Sequence, residues 1–138
     1  MNGEGISMAM QQLIAAERPV SAEVEWQDIC PIDHVLPGTG AAALVQGEQI
    51  AIVRTYEGRL AALSNFDPFS KAFVIARGIV GDRAGVPKIA SPIHKQSFSL
   101  ETGQCLDDPT VRLTVYPIRV YAGRIQVALV PRTTGVEP

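Results

Sequence analysis

The chain has 138 residues, 46% of them apolar and 19% charged, with a formal net charge of -2. This is the size of one domain with room for short flanking segments, and a chain near 150 residues buries roughly 68–70% of its unfolded surface. The composition is that of a globular protein rather than a disordered one. Its slight acidity leaves no basic footprint for nucleic acid and no polybasic patch for a membrane surface.

Residues 1–22 stand apart from the rest. Between 6 and 17, Met8, Met10, Leu13 and Ile14 lie among alanines, a weak helical signal that ends near Pro19. The segment reads as a weakly helical or disordered extension. It lacks the basic stretch and apolar core of a secretory signal, and no run approaches the roughly 20 apolar residues that span a bilayer. The expected location is the cytoplasm.

From residue 23 onward the signal is strands and turns, and residues 23–130 read as one all-β domain. Residues 23–29 alternate apolar and polar, as a half-buried strand does. A turn follows over 30–37, with Pro37-Gly38-Thr39-Gly40 as a strong break. Apolar runs at 41–46 and 49–55 flank Gly47-Glu48, and Glu57-Gly58 leads into a third run at 59–64, which predicts two hairpins. Residues 65–87 are irregular, with a short strand or helical turn expected within 72–80. Strands are predicted at 88–90, 96–100, 112–116, 119–121 and 124–130, with Ala122-Gly123 as the last hairpin turn. The total is about nine short antiparallel strands, followed by a polar tail at 131–138.

Chemistry-bearing residues are sparse. Cys30 and Cys105 are too few for a disulfide scaffold and fit no zinc spacing, so each reads as a small buried apolar side chain. His34 beside Asp33 lies in a turn and has no nucleophile in a recognisable motif. Residues 78–85 carry glycines without the Lys-Ser/Thr ending of a phosphate loop. Asp107-Asp108-Pro109 reads as a solvated loop. Arg54, Arg59, Arg77, Arg83 and Lys88 are scattered, some of them suited to facing an acidic partner.

One longer pattern is more informative. Ala62-Leu63-Ser64-Asn65-Phe66-Asp67-Pro68-Phe69, then Gly78, then Ala90-Ser91-Pro92-Ile93-His94-Lys95-Gln96-Ser97-Phe98 with Thr102-Gly103 resembles the Rieske ferredoxin domain. In that family two hairpin loops supply Cys-x-His and Cys-Pro-x-His-Gly, followed by a Phe-containing strand and a Thr-Gly turn. The likeness runs from about Trp26 to Val130. It implies a Rieske-like antiparallel sandwich of short strands with two cluster-binding loops.

The departures fall on the ligands. A Rieske cluster is held by two thiolates on one iron and two imidazoles on the other. Here Asp67 stands in the first Cys position and Phe69 in the first His position. Ser91 stands in the second Cys position, His94 keeps its place, and Lys95 replaces the following glycine. A carboxylate is a hard ligand, a serine alcohol must ionise to bind, and a phenyl ring has no lone pair to give. The loops are therefore read as degenerate, with no cluster, metal or catalytic residue expected in this chain. Phe66, Pro68, Phe69 and Ile93 are expected to pack as an apolar plug in place of the cluster. Asp67 is expected to bond nearby backbone N–H groups.

Within the Rieske-like group, these loops and the opening Trp26-Gln27-Asp28-Ile29-Cys30-Pro31 are similar to the small subunits of assimilatory NAD(P)H-dependent nitrite reductase. That resemblance implies a cluster-free partner of a large catalytic subunit. The large subunit would carry FAD, sirohaem and a [4Fe–4S] cluster and reduce nitrite to ammonium. Two other readings stay open. One is an electron carrier with an unusual metal site built from His94, Cys105 and Asp67. The other is a Rieske-like electron-transfer or regulatory module of another oxidoreductase.

Overall fold

The computed structural model describes residues 24–130; the predicted extension at 1–22 and tail at 131–138 lie outside the described residues. Among the described residues twelve strands form in chain order. They are β1 (Trp26–Pro31), β2 (Thr39–Val45), β3 (Glu48–Arg54), β4 (Leu60–Ser64), β5 (Phe66–Asp67) and β6 (Ala72–Phe73). There follow β7 (Ile79–Arg83), β8 (Val86–Ala90), β9 (Ser97–Ser99), β10 (Val115–Tyr116), β11 (Ile118–Tyr121) and β12 (Arg124–Ala128). All pairings between them are antiparallel.

The central sheet has the order β10-β4-β3-β2. In β3 the run Ile50-Ala51-Ile52-Val53 is buried, and in β4 so is Leu60-Ala61-Ala62-Leu63. Strands that read as continuous apolar runs are buried on both faces. Here each face meets a different core. Ile50, Ile52, Leu60 and Ala62 pack with Ile118, Ile125 and Val127 from the β1-β12-β11 sheet. Ala51, Val53, Ala61 and Leu63 pack the other way, on Ile75, Val80, Ile89, Phe98 and Leu100 near the β7-β8-β9 sheet. The result is a three-layer arrangement, and burying each large side chain contributes roughly 1.5–3 kcal/mol.

Three two-residue hairpin turns share one chemistry: Gln46-Gly47, Ala84-Gly85 and Ala122-Gly123. Both residues of each turn have positive φ, which suits the right-handed twist of the flanking strands. The first turn falls one residue earlier than the expected Gly47-Glu48. The second lies inside the stretch predicted to be irregular, because β5, β6 and the glycine-bearing β7 are too short or too polar to show a period. In the other direction, the strand predicted at 112–116 contracts to Val115–Tyr116. At the outer sheet, β1 pairs with β12 in a register that places Trp26 opposite Ala128.

Candidate functional site

The two degenerate loops turn out to be copies of one design. The first is Asp67-Pro68-Phe69-Ser70-Lys71 and the second is Ser91-Pro92-Ile93-His94-Lys95. In each, the side-chain oxygen of the first residue accepts a bond from the N–H two positions on: Phe69 N–H to Asp67 Oδ1 at 2.9 Å, and Ile93 N–H to Ser91 Oγ at 3.2 Å. The carbonyl of the first residue also accepts from the N–H of the lysine four positions on, at 2.7 Å for Lys71 and 3.1 Å for Lys95. Both lysines sit in the left-handed region, at φ 60 and 65. Short polar side chains bonding their own backbone are the usual way to close such turns.

The first residues of the two loops meet. Ser91 Oγ donates to Asp67 Oδ2 at 2.5 Å, and both residues are fully buried. Ser70 Oγ donates to the same oxygen at 2.9 Å. Burial pushes the Asp67 carboxyl upward, but the bonds from Ser91, the Phe69 N–H and both groups of Ser70 outweigh it and hold the group below its ordinary range. A buried carboxylate survives only with such donors, so this is a satisfied charge rather than a stray one.

The apolar plug expected from sequence is therefore corrected. Phe69 turns into the core, its ring 6.2 Å from that of Phe98, but Ile93 is 48% exposed. Phe66 meets Phe73 instead, with ring centroids 5.1 Å apart and planes tilted by 59°. What joins the loops is a polar clasp, because Asp67 carries its donors with it and excludes apolar neighbours from its oxygens.

Asn65 and Asp107 brace the loops from behind, and sequence reasoning gave neither a role. Buried Asn65 accepts from the Ala76 N–H through Oδ1 at 2.7 Å and donates its own N–H to the Gln49 carbonyl. Asp107 accepts from the Ser97 N–H at 2.8 Å and pairs with Arg83 at 3.1 Å. The Ser97 bond is the main reason its carboxyl lies below the usual range. Gly78 lies against β8 so closely that a Cβ there would overlap the Ala90 carbonyl oxygen. His34 and Asp33 are exposed in a turn, as expected. Arg54 points inward and donates to the Val35 carbonyl at 3.0 Å.

These residues do not fit a [2Fe–2S] cluster. Both Asp67 oxygens are occupied by donors, Ser91 is a donor to Asp67, Phe69 offers no ligand atom, and His94 is exposed. The alternative set of Asp67, His94 and Cys105 is not brought together either. Cys105 is buried in the core beside Phe98, and no three His, Cys, Asp or Glu converge among the described residues.

A family model described as a Rieske-like [2Fe-2S] domain matches residues 25–128. A nitrite reductase (NADH) small subunit from Salmonella typhimurium is 44% identical over 104 residues, covering 75% of this chain and 96% of that one. The chain belongs to the family of nitrite reductase small subunits. A crystal structure of a Mycobacterium tuberculosis protein described as an NADH-dependent nitrite reductase small subunit superposes with a TM-score of 0.75. It is 50% identical, and the match covers 78% of this chain and 96% of that one. A Klebsiella oxytoca NAD(P)H nitrite reductase large subunit contains a like segment, 33% identical over 113 residues, covering 82% of this chain and 12% of that much longer polypeptide. The small-subunit fold thus occurs both as a separate chain and inside a large one. Among the described residues no helix is long and apolar enough to cross a membrane.

Proposed function

We propose that this chain is a cluster-free partner subunit that docks on a large catalytic nitrite reductase chain and supports its reduction of nitrite to ammonium. The observation that carries this reading is the pair of likenesses just described. Separate small subunits match this chain over 96% of their own length and 75% of its length, and a large subunit holds the same kind of segment within its own length. A domain found both free and fused is suited to sitting permanently beside the catalytic domains. In this reading the large chain holds the FAD, sirohaem and [4Fe–4S] cluster and takes electrons from NAD(P)H. The present chain contributes surface and rigidity, and none of its residues touches nitrite. The Asp67–Ser91 bond supports the cluster-free part, since it occupies the atoms that would have to bind iron.

The test is to tag this chain, purify it gently from its own cells grown on nitrate, and inspect the eluate. A co-purifying large protein with flavin and sirohaem absorbance is expected. A solitary, colourless protein would overturn the partner reading. Separately, stoichiometric iron with acid-labile sulfide in anaerobically prepared protein would overturn the cluster-free one.

A further inference from the structure

Five non-glycine residues among those described have positive φ. Gln46, Ala84 and Ala122 belong to the hairpin turns, where the backbone demands it. Lys71 and Lys95 lie instead in the longer hairpin loops, between β5 and β6 and between β8 and β9. Each closes one of the paired loops, in a conformation that glycine adopts freely and a lysine does not. Side chains kept in such places are a reason to ask what they do there. Both lysines are exposed, and neither has an ion-pair partner among the described residues.

The two loops themselves carry one sign of exposed charge, and Asp107, which accepts from the Ser97 N–H behind them, is paired with Arg83. Residues 68–78 contain Lys71 and Arg77 with no acidic residue, and residues 91–97 contain His94 and Lys95 with none. The one carboxylate of the two loops, Asp67, is buried under its three side-chain and backbone donors. Exposed Phe73 and Ile93 lie in the same two stretches, at 53% and 48% exposure. The clasp ties the two loops together, so the lysines are carried on one rigid unit. This end of the molecule is thus basic with apolar residues at its surface, on a chain whose net charge is -2.

We propose that Lys71 and Lys95 form a preset pair of cations through which this end docks on an acidic surface of the large nitrite reductase chain. The proposal rests on the partner-subunit reading and names the surface and chemistry of that contact. Complementary charge speeds encounter and fixes register, and its contribution falls as salt rises.

The left-handed backbone at both positions allows an unusual test. Replacing both lysines, Lys71→Gly with Lys95→Gly, removes the charges while relieving the backbone. The expected result is an unchanged or higher Tm, with binding to the purified large chain weakened roughly tenfold at low salt and less dependent on salt. The pair Lys71→Arg with Lys95→Arg keeps the charges and should bind with nearly wild-type affinity and salt dependence. Binding of the glycine variant equal to wild type, loss of binding in the arginine variant, or a lowered Tm of the glycine variant would each overturn the proposal. Failure of the wild-type chain itself to bind is a different outcome: it removes the partner reading.

Discussion

Ser91 Oγ and Asp67 Oδ2 lie 2.5 Å apart, joining loops that are 24 positions apart in sequence, and no water reaches either side chain. In Rieske proteins a cluster ties the corresponding positions together. Here one hydroxyl-to-carboxylate bond does so, and its two neighbours, the Phe69 N–H and Ser70 Oγ, complete the shell.

Asp67→Ala strips an acceptor from three donors at once. Leaving buried polar groups unpaired costs about 1–3 kcal/mol each where water does not enter, so a loss of roughly 3 kcal/mol is expected. Ser91→Ala removes two bonds, the one Oγ gives to Asp67 and the one it takes from the Ile93 N–H, and should cost about 1–3 kcal/mol. Urea denaturation midpoints of the two single variants and the double variant measure the coupling. Strict additivity would show that the two side chains do not interact.

The clasp also sets a pH dependence. Asp67 is ionised more readily when folded than when unfolded, so its contribution is fully present above its ordinary value of 3.8. As pH falls through its lower folded value, the contribution is lost. Stability measured from pH 6 to pH 2 should decline below about pH 4 in the wild type. Asp67→Asn should show a shallower decline, and parallel curves would count against this carboxyl as the source.

Phe69 and Ile93 occupy the same place in their loops but face opposite surroundings, so the same substitution should act on different properties. Phe69→Ala removes a ring packed on Phe98 and should lower stability by about 2–3 kcal/mol. Ile93→Glu, on a side chain 48% exposed, should change stability by less than about 0.5 kcal/mol while weakening association with the large chain. Circular-dichroism melts paired with a binding isotherm separate the two effects. Charge insertion at Phe69 is the poorer probe of docking, because it would act first on the core.

Gly78→Ala should be costly although its φ is ordinary, since the new Cβ would meet the Ala90 backbone oxygen. Forcing atoms into a packed site typically costs about 1–3 kcal/mol. A Tm within a degree of wild type would show that β7 and β8 can separate more easily than their pairing suggests.

The single tryptophan offers an optical probe of the outer sheet. The Arg119 guanidinium lies 4.4 Å from the Trp26 ring and 4.9 Å from the Tyr121 ring, and its Nε donates to Gln126. Arg119→Ala should shift the tryptophan emission and lower stability by about 0.5–1 kcal/mol. Unaltered emission would mean the stack is not populated in solution.

The long strands and the ligand losses were legible because they rest on local signals: apolar runs between turn residues, and side chains whose chemistry is known in isolation. The direction of Phe69 and Ile93 was not legible, since an apolar residue after a proline reads alike whether it faces core or solvent. Nor was the bond between Asp67 and Ser91, which depends on contact between distant loops. The kinship of Asp67–Lys71 and Ser91–Lys95 is written in the sequence, but only proline and lysine coincide. Two identities in five residues acquire meaning once the backbone bonds are seen to repeat. Strands of two residues, such as β5 and β6, carry no periodicity to detect.

The opposition of Trp26 and Ala128 across β1 and β12 has an evolutionary consequence. The polypeptide enters and leaves the fold side by side, so both junctions to any flanking chain lie at one spot on an outer sheet. Such a fold can be spliced into a longer polypeptide, or cut free from one, without breaking a strand or disturbing the paired loops. A separate Salmonella chain and a segment within a Klebsiella large subunit are the two arrangements found among its relatives.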